Sequence, residues 1–248
     1  MSEPVTGAAM ALALLLLLPA TLGAVLLALG RRADRSAGPL SVLVTAASSG
    51  LAIWVAGARP GLSTPFIGVM PGGDLGFAVD GLSAVLVLLV AVIALLTTVF
   101  AVVDLPPQAA RARFFGYFLL FIAAMLATVT ATTLPGLLLA WEVMGATSYA
   151  LIGYRWEEPG KLAAGTRAFL ATRAGDLGLY VAAGAALAGT GSLVLDDLAA
   201  ADGGWRDVAA AGVLLAALGK SAQLPFSGWL SSAMAGPSHW RTRATTAP

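Results

Sequence analysis

A chain of 248 residues that is 58% hydrophobic and only 11% charged is far from the soluble balance of about 25% charged residues. It has no cysteine and a single histidine, His239, nearly at the C-terminus, which excludes iron–sulfur and thiol chemistry and leaves no ligand set for haem or zinc. No cofactor, metal or nucleic-acid partner is therefore expected, and apolar runs near the ~20 residues that cross a bilayer predict an all-α fold, a multi-pass transmembrane helical bundle of about seven helices.

The first apolar segment covers 7–30, with Pro19 inside it. It is not a secretory signal peptide, because Glu3 and no base precede it while Arg31, Arg32 and Arg35 follow. The second covers 40–58. A Pro/Gly-rich connection, 59–78, carries Pro60, Pro65, Pro71, Gly72 and Gly73 as turn signals, and residues 64–69 are expected to pair with 75–79 as a short hairpin outside the membrane. Asp80 or Ser83 is placed to cap the third helix, 82–103.

The fourth segment, 114–130, opens on the aromatic cluster Phe114-Phe115-Gly116-Tyr117-Phe118. The fifth, 134–154, carries Trp141-Glu142 near mid-membrane. The sixth, 164–189, carries Arg167, Arg173 and Asp176. The seventh starts near Val208 and breaks at Pro225. A short amphipathic piece, 226–234, and a polar tail, 241–248, end the chain.

Loop charge orients this layout. One set of connections holds Arg31, Arg32, Arg35, then Arg111 and Arg113, then Arg155, Lys161 and Arg167, and finally Arg241 and Arg243. The alternate set holds only Arg59 and Arg206. Alternation at every loop places the N-terminus outside and the arginine-rich loops in the cytoplasm. The Ala, Gly and Arg richness points to a high-GC bacterial gene, hence to the bacterial inner (plasma) membrane.

Four ionisable groups remain within spans: Glu142, Arg173, Asp176 and Lys220. A lysine at that depth costs roughly 2.5 kcal/mol or more unless it meets a counter-ion, water or carbonyls. Pro225, five residues on, lacks an amide hydrogen and clashes with the carbonyl of Ser221, so the helix is expected to break just past the lysine. A buried lysine beside a broken span reads as part of an ion pathway; the alternative is a lysine snorkelling to the headgroups. Arg173 and Asp176 lie three residues apart on one helix face and are expected to pair, either as a packing lock or as part of the pathway. Glu142 and Lys220 have no same-helix partner, and a Glu142–Lys220 contact is the economical arrangement. Gly184 to Gly189 and neighbouring small residues are packing surfaces rather than a nucleotide loop. Trp54, Trp156 and Trp229 fall near interfaces, and Asp196, Asp197, Asp202 and Asp207 form a solvated loop rather than a metal cage.

Four motifs in order carry a family resemblance. They are Phe77-Ala78-Val79-Asp80-Gly81-Leu82-Ser83; Ala140-Trp141-Glu142-Val143-Met144-Gly145 with Ser148-Tyr149 and Leu151-Ile152-Gly153; Thr172-Arg173-Ala174-Gly175-Asp176-Leu177-Gly178; and 219–225 with Trp229 and Ala233-Met234-Ala235-Gly236-Pro237. Together they resemble the antiporter-like L subunits of respiratory complex I (NADH–quinone oxidoreductase). That superfamily also includes the A subunits of multisubunit cation/proton antiporters and the membrane subunits of related hydrogenases and inorganic-carbon transporters.

The resemblance implies a proton-translocating membrane subunit, driven by redox chemistry in other subunits and with no redox centre of its own. Carried over by motif, Glu142 partners the pathway lysine Lys220, while Arg173 and Asp176 match a charged pair on the sixth helix. Implied partners are the other membrane subunits of a complex I-like or antiporter complex, the lipid bilayer and protons. The chain divides into 1–76, two helices and an external loop; 77–237, the antiporter-like region with an incomplete first repeat; and 238–248, an atypical tail.

Family members continue past the Gly-Pro into further helices, and the proline expected soon after Trp229 is replaced by Ser231-Ser232. The chain therefore reads as the first part of a longer protein, ended by truncation or a frame change. Two other functions are compatible with the residues: a subunit of a cation/proton antiporter or inorganic-carbon transporter, and a non-conducting scaffold paralogue.

Overall fold

A computed structural model describes residues 7–68 and 70–233. The tail at 238–248, the stretch 234–237 of the fourth motif, and with them Arg241, Arg243 and His239, lie outside the described residues. The fold is the expected all-α, multi-pass transmembrane bundle, with seven long helices, one short eighth helix and a small hairpin among the described residues.

Helices α1 (Gly7–Leu29) and α2 (Asp34–Ala58) are joined by a single 3-10 turn, Gly30–Ala33. α2 therefore starts six residues before the expected position. Pro39 does not delay it, because a proline in the second turn deprives only one carbonyl, that of exposed Arg35, of its helical donor. Among the described residues, 7–58 form one of four helical stretches long and apolar enough to cross a membrane; the others are α3 (Gly81–Asp104), α4 (Arg111–Thr130) and α5 (Leu134–Ile152). α6 (Lys161–Thr190) and α7 (Gly203–Lys220) are as long as spans but rich in Gly and Ala and charged near their contact, which lowers their apolarity. α8 is Gly228–Ala233.

α3 begins with a reciprocal cap involving both expected residues. The Ser83 amide donates to Asp80 Oδ1 at 2.7 Å, and the Asp80 amide donates to Ser83 Oγ at 2.7 Å. These bonds satisfy two donors that a helix start otherwise leaves open. They hold the Asp80 carboxyl below its ordinary range, chiefly through the Ser83 amide.

The hairpin pairs β1 (Gly61–Thr64) antiparallel with β2 (Leu75–Ala78), Gly61 opposite Ala78. The first strand thus lies before Pro65 rather than after it. Pro65 has no amide to give the ladder, and the chain beyond it turns back through Ile67 N to Gly73 O at 2.7 Å. The hairpin is sewn to the rest of its end of the bundle. Thr132 N donates to Gly76 O, Leu193 N to Pro71 O, and Leu134 N to Leu193 O.

The opposite end carries the arginines. Asp34 Oδ1 accepts the Ala112 amide at 2.8 Å and so caps α4 from α2. Arg111 donates to Val102 O at 2.9 Å at the end of α3, and Arg113 donates to Tyr154 O at 2.8 Å beyond α5. Every described arginine-rich connection therefore meets at one face. Between the two faces, the main apolar core packs α1 to α4 around the fully buried Leu12, Leu15, Phe115 and Leu119.

α6 and α7 make a second unit with backbones almost in contact. A Cβ added at Gly175 would sit 3.0 Å from Gly219 Cα, and one at Gly178 would collide with the Gly212 carbonyl. Only glycine permits that approach, which is how small residues bring membrane helices together. The close approach continues to one end of the expected Gly184–Gly189 surface: a Cβ at Gly189 would sit 2.7 Å from Trp205 Cβ on α7, while one at Gly184 meets nothing within 4 Å.

Candidate functional site

The seam sets the register of the charged groups. Gly175 faces Gly219, so the residues after them, Asp176 and Lys220, come together across it. Lys220 Nζ donates to Asp176 Oδ2 at 3.3 Å, and the two side chains are 17% and 4% exposed. The second oxygen, Oδ1, accepts Trp141 Nε1 from α5 at 2.6 Å. The Trp141 ring also lies under the ammonium, 5.5 Å from Nζ to the centroid. A buried carboxylate is tolerable only with partners of this kind.

Arg173 reaches across to α5 and pairs with Glu142 Oε2, while Tyr180 donates to Glu142 Oε1 at 2.7 Å. This corrects the expected pairing. No ion pair joins Arg173 to Asp176 among the described residues, and Glu142 does not touch Lys220 directly. The reason is rotational: Asp176 points into the α6–α7 seam, where both its oxygens are taken, while Arg173 lies further round the helix on the side that faces Glu142.

All four expected residues thus gather near mid-bundle, but as two crossed pairs, Glu142–Arg173 and Asp176–Lys220, carried by α5, α6 and α7. Lys220 does not snorkel. Tyr180 and Trp141 are members that the sequence did not assign. Their signals were present: Tyr180 lies seven residues, two turns, beyond Arg173, and Trp141 adjoins Glu142.

α7 ends at Lys220, and the helix break expected at Pro225 takes the form of a turn before it. Ala222 adopts the left-handed conformation (φ 53°), which lets Gln223 N reach Leu218 O at 3.0 Å. Two neighbouring carbonyls also find donors. Ser221 N and Oγ reach Ala217 O, and Trp229 Nε1 on α8 reaches Gly219 O at 3.0 Å. Trp229 is therefore an internal cap as well as an aromatic near an interface, and it meets part of the demand that a break within a membrane places on its freed carbonyls.

The pairs open in different directions. Lys220 borders a cavity of about 150 Å³ that runs past Ser148, Tyr149 and Phe169 toward the arginine-rich face. Glu142 and Tyr180 border an apolar groove of about 380 Å³ that runs past Leu138 and Leu134 to Phe66 and Ile67 at the hairpin face.

A family profile described as "NADH:quinone oxidoreductase/Mrp antiporter, TM" matches residues 131–240, the stretch that holds all four charges. The NADH-quinone oxidoreductase subunit L of Mycobacterium tuberculosis (strain H37Rv) is 34% identical over 239 residues, which cover 90% of this chain. The chain carries, at 131–240, the transmembrane region of the NADH:quinone oxidoreductase/Mrp antiporter family. It spans 38% of the length of that relative. Among solved structures, a chain of the Mrp complex from Dietzia sp. DQ12-45-1b superposes with a TM-score of 0.79 at 28% identity, covering 90% of this chain and 25% of that one. A chain of respiratory complex I from Thermus thermophilus superposes with a TM-score of 0.75 at 26% identity, covering 90% and 47%. Both are chains of multisubunit membrane complexes.

Proposed function

We propose that this chain forms part of a proton-translocating subunit of a complex I-type assembly in the bacterial plasma membrane, with its N-terminus outside and its translocating region at 77–237. The observation that carries the proposal is the pair of crossed ion pairs that open toward opposite faces of the bundle. Lys220 holds a proton at the inner end of the cavity from the arginine-rich face. When that proton leaves, Asp176 loses its cation, and Arg173, one turn away on α6, is the nearest replacement. Arg173 moving to Asp176 would strip Glu142 of its partner and leave it to take up a proton on the hairpin side. Proton occupancy on one side is thereby linked to proton occupancy on the other, and energy from partner subunits would bias the exchange.

A second assembly type, a cation/proton antiporter, is favoured by the likeness to the Mrp chain. Inverted vesicles from the source cells separate the two. NADH-driven acidification that is lost when this chain is deleted supports the complex I-type assembly. Deletion that leaves NADH-driven acidification intact but abolishes sodium-dependent proton exchange supports the antiporter.

A further inference from the structure

A second pocket, of about 190 Å³, lies at the arginine-rich face beside the Lys220 cavity, and Tyr149 lines both. Its polar lining is unusual. Arg113, Tyr117, Tyr149 and Trp156 all border it, and each brings a hydrogen-bond donor. No carboxylate lines it. Among the described residues, neither tyrosine hydroxyl nor the Trp156 indole has a hydrogen-bonding partner, and Arg113 has no acid within salt-bridge distance. The Arg113 guanidinium is held in place from one side only, by its bond to Tyr154 O and by the Tyr154 ring 5.2 Å away. Two nearby acids are engaged elsewhere, Glu158 with Arg155 at 3.0 Å and Asp34 with the Ala112 amide, while Glu157, which acts electrostatically on Tyr154, is exposed to solvent and does not line the pocket.

Several donors around one pocket with no carboxylate in its lining describe a site for an anion with several oxygens, and a guanidinium matches a phosphate in fork geometry. The depth of the pocket selects the source. It lies at the ends of α4 and α5, where Trp156 is 56% exposed, the level at which indoles meet headgroups. Exposed Leu162 at its edge would meet the first methylenes of an acyl chain. Basic pockets between spans on the arginine-rich side are where anionic headgroups bind. We propose that this pocket binds the phosphodiester headgroup of an anionic phospholipid, held by Arg113, Tyr117, Tyr149 and Trp156.

Native mass spectrometry of the detergent-solubilised chain, titrated with phosphatidylglycerol, phosphatidylcholine or inorganic phosphate, tests this. Phosphatidylglycerol should bind about tenfold more tightly than phosphatidylcholine, and Arg113→Gln should remove about that advantage. If Arg113→Gln does not fold, the double variant Tyr117→Phe/Tyr149→Phe, which keeps the rings and the arginine, should still weaken phosphatidylglycerol several-fold. Arg155→Gln, which removes an equal charge outside the pocket, should change nothing. Equal binding of the two lipids, an equal loss on Arg155→Gln, or no loss in the tyrosine double variant would overturn the proposal. So would retention of inorganic phosphate alone, which would make the pocket a site for the free anion.

Discussion

Lys220 reaches Asp176 across the α6–α7 seam at 3.3 Å, while Arg173, one turn from Asp176 on the same helix, is bound to Glu142 instead. Pair membership is thus decided between helices rather than along one. Both members of the Lys220–Asp176 pair are nearly buried, so Lys220→Ala strands a carboxylate and should destabilise the fold by about 3–5 kcal/mol. Glu142→Gln, in the more exposed pair, should lose no more than about 1 kcal/mol. Thermal unfolding of single and double variants measures this. The 176–220 cycle should show coupling of about 1 kcal/mol or more, and the 142–220 cycle about 0.5 or less. Equal coupling in both cycles would restore the direct Glu142–Lys220 contact.

The seam itself is testable through its glycines. A methyl at Gly178 would meet the Gly212 carbonyl, so Gly178→Ala must push α6 and α7 apart. Such overpacking typically destabilises by about 1–3 kcal/mol, and here it also separates Lys220 from Asp176. Gly184→Ala, on the same helix with nothing within 4 Å, should be neutral or slightly stabilising. A melting-temperature comparison of the two variants in detergent decides the point.

These glycines also show where legibility in the sequence ends. The spans were readable because apolar runs near twenty residues have few other uses, and the Asp80 cap and the break after Lys220 because both are local chemistry. The four buried charges were readable as types, since each is costly in a membrane. Their partners were not. Pairing depends on the rotation and register of α6 against α7, which Gly175, Gly178, Gly212 and Gly219 fix by close approach, and a glycine in sequence does not announce which neighbour it meets. The donor role of Trp229 was hidden for a related reason: it exists only once the turn at Ala222 has left the Gly219 carbonyl open beside it.

Asp80 gives a pH dependence with a definite sign. Its folded carboxyl lies below the ordinary range because ionised oxygens accept from Ser83, so the cap contributes stability above that ordinary range. The contribution is lost as pH falls through the lowered folded value. Melting temperature should therefore drop more steeply with acidification in the native chain than in Asp80→Ala. Parallel profiles would remove Asp80 as a titrating cap.

Orientation can be read from single cysteines, since the chain has none of its own. Gly68 and Gly204 have open space around their Cβ positions, and Ser36 is exposed at the arginine-rich end. Cysteines at 68 and 204 should react with an impermeant thiol reagent added outside cells, and one at 36 only after lysis. The reverse pattern would invert the topology.

The central claim is that Lys220 and Glu142 carry protons, and acidification of inverted vesicles containing the whole assembly tests it most directly. At matched expression, Lys220→Ala and Glu142→Gln should each cut the initial rate of acidification at least about tenfold, one pKa unit's worth of free energy at either step. Arg206→Gln, exposed at the hairpin end, should leave it unchanged. Acidification at the native rate in an assembled Lys220→Ala variant would contradict the account.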